Sequence, residues 1–206
     1  MDLKSIKILI DNGHGFDTLG KLSPDGKLRE YAWAREIAKR LEAALKALGY
    51  DAQRITPEEN DIPITTRVNR INAICKKVGA KNVLLVSIHN NAAGNGSWGS
   101  ANGFSVFVSK NASSNSKKCA AMFTDEAITR KMMGNRSIPA GKYWTWSWTT
   151  KDIGILKNSN CPAVLTENGF MDNKQECEYL LSESGKQQFV ALHVAAIEKY
   201  VKSLIS

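Results

Sequence analysis

Residues 82–89 read NVLLVSIH, a run in which five of the first seven positions are aliphatic and do not alternate with polar residues. Such a stretch cannot leave one face in water, so it belongs at the centre of a sheet covered on both sides, the environment of a parallel strand. The segments around it support that reading. IKILID at 6–11 is a first apolar, β-branched strand. In LREYAWAREIAKRLEAALKALG, apolar residues then recur three and four apart (Ala34, Ile37, Ala38, Leu41, Leu45, Leu48) before Gly49 stops the helix. YDAQRI predicts a second strand, and PITTRVNRINAICKKVG a second helix with proline near its start and glycine after its end. GFSVFVS alternates as a fourth strand. SSNSKKCAAMFTDEAITRKMM predicts a third helix with serine or asparagine available as its cap. IGILKN and PAVLTENGF predict two further short strands, and a final helix runs from about Gly185 to Leu204. Strands alternating with helices predict an α/β fold: one domain over 1–206, a twisted and mainly parallel sheet of about six strands, helices on both faces.

At 206 residues the chain buries a sizeable core without disulfides or metals to staple it. Its four cysteines (Cys75, Cys119, Cys161, Cys177) stand at wide, irregular spacings with no CxxC pair, the pattern of free, partly buried thiols rather than a zinc–thiolate knot. The longest apolar runs are far too short to span a bilayer. The first residues contain no apolar stretch followed by a small-residue cleavage site, so no secretory signal is read there. The net charge is +8, and residues 110–151 hold eight basic residues against two acids. That surplus favours an anionic partner, nucleic acid or an anionic wall polymer, without choosing between them. No nucleic-acid-binding motif accompanies it, which ranks nucleic acid last.

In open α/β sheets the working groups gather beyond the carboxyl ends of the strands. Three strands here end in polar residues that packing does not require. DNGHG places His14 in a glycine-flanked turn, SIHNN places His89 in a loop, and TENGF places Glu167 beyond PAVL. Glu30 opens the first helix, where a carboxylate also suits the helix dipole. Two histidines and a carboxylate on one rim are the donors of a catalytic zinc site, and a second carboxylate could take a proton from water. Each residue alone has a bland reading, the histidines as hydrogen-bonded loop residues; their joint position on one edge raises the metal reading. His193, within FVALHVAAIEKY, reads as a core histidine and not a ligand.

Six blocks, IDNGHG, EYAWAREIAKRLEAALKALGYDAQRI, TTRVNRIN, VLLVSIHNNA, GFSVFVS and CPAVLTENGF, resemble in order the successive blocks of the zinc-dependent N-acetylmuramoyl-L-alanine amidases, from about residue 6 to residue 204. These are the catalytic domains of bacterial autolysins, cell-separation amidases and phage endolysins. The resemblance implies one zinc ion held by His14, Glu30 and His89, with Glu167 as catalytic base. It also implies a twisted sheet flanked by helices and hydrolysis of the amide between N-acetylmuramic acid and L-alanine of peptidoglycan. Two other readings stay open at this point: a zinc peptidase cutting within the stem peptide, and a non-catalytic wall-binding domain.

Phe16, where the family usually has a small residue, the Asn-, Gly- and Ser-rich loop after His89, and YWTWSWTTKD set this chain apart. Tyr143, Trp144, Trp146 and Trp148 could stack on glycan or stem peptide or bury one face of a short strand, and the favoured reading is a mixture, some rings packing the loop and others lining the cleft. Asn91 is a further substrate-binding candidate. Arg67 reads as a structural helix residue, with capture of a substrate carboxylate as its alternative role. The expected place of action is the cell wall, reached by phage-type release from the cytoplasm or by a secreted enzyme whose leader has been removed.

Overall fold

The computed structural model describes residues 5–94, 96–130 and 153–204. Five strands, β1 (Lys7–Asn12), β2 (Asp51–Arg54), β3 (Val83–Asn91), β4 (Phe104–Phe107) and β5 (Ala163–Phe170), form one sheet in the order β2-β1-β3-β5-β4. All pairings are parallel except that of β4 with β5. Six helices pack on the sheet: α1 (Glu30–Ala47), α2 (Ile64–Val78), α3 (Ser114–Thr129), α4 (Gly154–Asn158), α5 (Lys174–Leu181) and α6 (Glu183–Lys202).

Side-chain alternation along the strands divides the interior into two layers. Even-numbered residues of β1 and β3 (Ile8, Ile10, Leu84, Val86, Ile88) face α1, α3 and α6 and form the larger cluster with Ile37, Leu41, Phe123 and Leu192. Odd-numbered residues (Leu9, Val83, Leu85) face α2 and α4 and pack with Ile71, Ile155 and Leu165. Leu84, Leu85, Val86 and Ile88 are all wholly inaccessible, the two-sided burial that the aliphatic run requires.

Among the described residues the sheet has five strands, where the sequence suggested about six. Residues 153–158, read there as a strand, hold the short helix α4 (Gly154–Asn158) with Ile153 as its N-cap. Strand β5 pairs with β3 on one side and β4 on the other, which leaves it no edge for this segment. The segment instead buries Ile155 and Leu156 in a single helical turn. The chain between β5 and the last helix also carries α5, which the sequence reading did not separate. Asn173 caps it by accepting a hydrogen bond from Glu176 N–H, and Ser182 caps α6 in the same way through Gly185 N–H. Ser113 caps α3, as its composition suggested. All four cysteines are buried and unbridged, and no helix among the described residues is long and apolar enough to cross a membrane.

Candidate active site and metal centre

His14 lies in the turn that leaves β1, and both flanking glycines are sterically required. A Cβ on Gly13 would sit 2.3 Å from Cε1 of His89, and one on Gly15 would sit 1.9 Å from the backbone nitrogen of Asp61. Between them His14 adopts φ 59°, the one non-glycine residue with positive φ among the described residues. This left-handed conformation costs an L-residue about 1–2 kcal/mol. The surrounding backbone is tied down: Gly13 N–H donates to Ile88 O and Gly15 N–H to Thr18 Oγ1, at 3.0 Å each.

Glu30, the first residue of α1, is 1% exposed. Its carboxylate does more than sit at a helix terminus. Oε1 lies 3.0 Å from His89 Nδ1 and accepts the Asn90 N–H at 3.1 Å, while Oε2 lies 3.3 Å from His14 Nε2. Burial pushes the Glu30 carboxyl up, but the bonds from His14 and His89 outweigh it and hold the group far below the usual range. The two imidazoles are nearly perpendicular, at 86° with ring centroids 5.1 Å apart. One donor atom from each of His14, Glu30 and His89 falls within 4.8 Å of the others. Two imidazole nitrogens and a carboxylate oxygen match the donor chemistry of zinc better than that of magnesium or calcium, so the residues present fit such an ion.

Glu167 is paired in register with His89 across the β3–β5 ladder and with Ser105 across β4–β5. Its Oε2 is buried and has no hydrogen-bond partner among the described residues. Burial, opposed by the attraction of His89, pushes the carboxyl up to about 7. A carboxylic acid poised there can both take and return a proton near neutral pH. Glu167, His89 and His14 open onto a cleft of about 590 Å³ whose apolar wall is built from Ile62, Ile155 and Leu165. The four residues singled out for chemistry from the sequence therefore converge on one site, drawn from the ends of three strands and the start of one helix. His193, set aside as a core residue, is wholly buried between Phe189 and Thr166, away from this cleft.

Arg67 also lines the cleft, yet its guanidinium is engaged by the protein itself. Nε donates to Ile62 O, Nη1 to Asp11 Oδ1 and Asn12 O, and Nη2 to Asp61 Oδ1 and His14 O. These contacts account for all five N–H groups and support the structural role. Asn91 closes β3, its carbonyl accepting from Met171 N–H and its side chain from Ala92 N–H. Trp144, Trp146 and Trp148, with Tyr143, lie outside the described residues, as do four of the eight basic residues of 110–151.

The sequence reading missed Asp11, Asp61 and Arg35. Asp11 was detectable: it closes an apolar strand and is 1% exposed, and Arg67 stands one and two turns ahead of the buried Ile71 and Cys75 on the inward face of α2. A buried acid and an inward arginine require each other. Arg35 carried no comparable signal, since its partners are backbone carbonyls contributed by distant loops.

With this geometry in place, comparison with known proteins gives consistent matches. Residues 8–199 match the family described as N-acetylmuramoyl-L-alanine amidase. The chain is 25% identical to N-acetylmuramoyl-L-alanine amidase AmiC of Neisseria meningitidis, over 96% of this chain and 53% of that protein. It is 28% identical to an endolysin of Bacillus phage SPP1, over 86% of this chain and 59% of that protein. The chain thus spans between half and three fifths of the length of these curated relatives. Its fold is that of an N-acetylmuramoyl-L-alanine amidase from Clostridium difficile 630 (TM-score 0.79, 24% identity, 97% of this chain and 98% of that one). It is also that of Ami1 from Mycobacterium smegmatis (TM-score 0.82, 19% identity, 98% and 100%).

Proposed function

Because the chain belongs to the N-acetylmuramoyl-L-alanine amidase family, we propose that it hydrolyses the amide joining N-acetylmuramic acid to the L-alanine of the peptidoglycan stem peptide. One zinc ion would be held by His14, Glu30 and His89. The observation that carries this reading is the convergence of those three donors within 4.8 Å, beside a cleft-facing carboxylate raised to about 7.

When bound, zinc supplies a Lewis acid for the scissile carbonyl and eases deprotonation of water. The chain's own residues do the rest. Glu167 accepts the proton of the attacking water on its carboxylate and returns it to the alanine nitrogen, which leaves as a free amine. Ile62, Ile155 and Leu165 present an apolar wall that strips water from the amide as it settles. Asn91 and the aromatic residues Trp144, Trp146 and Trp148 are the substrate contacts this reading proposes.

The proposed partner is peptidoglycan, with the basic surplus of residues 110–151 adding attraction to anionic wall polymers. Action at the cell wall fits both kinds of relative, whether the protein is released in phage fashion or exported.

Mass spectrometry of purified peptidoglycan after incubation with the zinc-loaded protein tests the reading, beside a Glu167→Ala control. Stem peptides released with a free L-alanine amine by the parent alone are the expected product. Scission at a peptide bond within the stem would make the protein a peptidase instead.

A further inference from the structure

We propose that Arg35 and Arg67 form a paired clamp that holds His14 in its left-handed conformation and so sets the affinity of the metal centre without touching metal or substrate. The inference rests on the reading of His14 as a metal ligand. The two guanidiniums arrive from different helices, Arg35 from α1 and Arg67 from α2, and meet at one carbonyl. His14 O accepts from Arg35 Nη1 at 2.9 Å and from Arg67 Nη2 at 3.4 Å. The neighbouring carbonyls are gripped as well, Gly13 O by Arg35 at 3.4 Å and Asn12 O by Arg67 at 2.6 Å. Each arginine then reaches back to the loop before α2: Arg35 to Glu58 O and Asn60 O, Arg67 to Ile62 O.

Packing alone does not require this arrangement. Neutral donors would satisfy backbone carbonyls, whereas two cations brought together repel, and here Asp11 and Asp61 are placed to offset that. What the paired guanidiniums add is direction. A planar fork holds several acceptors in fixed relative positions, and these acceptors are the peptide planes on either side of His14. With those planes held, the strained φ of His14 has no route to relax, and its Nε2 stays 3.3 Å from Glu30 Oε2. Strain concentrated at one residue, with charged donors converging on it, is the pattern expected where a ligand is pre-oriented. Arg35 and Arg67 are therefore positioning residues.

The test uses the full chain and the zinc ion itself. Arg35 is the informative position, because it is only half-buried and also stacks over Tyr31, which Met would continue to cover. For Arg35→Met we expect the zinc-free protein to unfold within a few degrees of the parent. Its zinc affinity, measured by competition with a chromophoric chelator, should fall about tenfold or more. Arg35→Lys, which restores charge but not the fork, should fall between the two. An Arg35→Met protein that folds and binds zinc within twofold of the parent overturns the clamp. If Arg35→Met does not fold, Arg35→Lys decides, and parental affinity in that variant overturns it equally. His14→Ala separates the two levels: zinc binding that survives it removes the metal assignment and the clamp together, whereas loss in His14→Ala but not in the Arg35 variants removes the clamp alone.

Discussion

His89 and Glu167 stand opposite one another in adjacent parallel strands, and both line the cleft bounded by Ile64 and Arg67 of α2. They share one face of the sheet with Leu85 and Leu165, which precede them in the alternation that builds the smaller core layer. The register that packs those leucines is thus the register that places His89, proposed as a metal ligand, beside Glu167, proposed as the proton acceptor. A slip of one residue in either strand would turn its chemistry to the other side of the sheet.

Glu167→Gln should move activity and stability in opposite directions. Amide hydrolysis should fall by about 10²–10⁴, the usual worth of a general base. Burial raises the Glu167 carboxyl from 4.5 to about 7 in the folded chain. Ionised Glu167 therefore costs the zinc-free fold nothing below pH 4.5, and the cost is fully developed above pH 7. Removing the charge should stabilise the zinc-free protein at pH 8 by about 1–3 kcal/mol, with no gain at pH 4. Urea unfolding of both proteins at the two pH values measures this, and equal stability at pH 8 would contradict the assigned burial.

Gly13→Ala should damage the metal site through His89. Gly13 does not have a positive φ, so alanine meets no backbone strain, but its Cβ would occupy the space of the His89 ring. The imidazole must swing away from Glu30, and zinc affinity should drop at least about tenfold, while overpacking costs the fold about 1–3 kcal/mol. Unchanged zinc affinity in a folded Gly13→Ala protein would show that His89 can coordinate from another rotamer.

Arg67 and Asp11 should behave as one unit. They are 2% and 1% exposed and 2.7 Å apart, and Ser87 Oγ donates to the other oxygen of Asp11. Arg67→Met leaves a buried carboxylate without its cation and should cost about 3–5 kcal/mol. Adding Asp11→Asn removes the stranded charge and should recover part of that loss. Chemical denaturation of both single variants and the double variant closes the cycle, and strict additivity would refute the coupling.

His193 should make the fold sensitive to mild acid. Its Nδ1–H donates to Phe189 O at 2.8 Å, leaving Nε2 to accept from Thr166 Oγ1 at 3.0 Å, so the neutral ring is satisfied at both nitrogens. Burial lowers it from 6.5 to about 4. The unfolded chain therefore binds this proton more readily than the folded one. The contribution is whole above pH 6.5, shrinks as the pH falls, and levels off below pH 4. The total is up to about 3 kcal/mol. Stability of the parent should fall more steeply between pH 7 and pH 5 than that of His193→Gln; parallel curves would count against it.

The elements of this fold and the identities of its reactive residues are written locally. Aliphatic continuity in NVLLVSIH, three-and-four spacing in α1 and α2, and polar residues at strand ends report burial one side chain at a time, and burial is what periodic sequence encodes. His14, Glu30, His89 and Glu167 stood out because each breaks such a pattern at a strand end or a helix start. Tertiary structure alone decided the rest. Gly154–Asn158 forms a helix whose Ile155 and Leu156 pack with Ile71 and Leu165, partners that lie far from it in the sequence or beyond its own end. Arg67 found Asp11 across 56 positions of sequence, and Arg35 found the carbonyl of His14 across 21. A side chain's pattern says that its polar atoms will be buried; which acceptor they meet depends on distant segments that only the folded chain brings within about 3 Å of them.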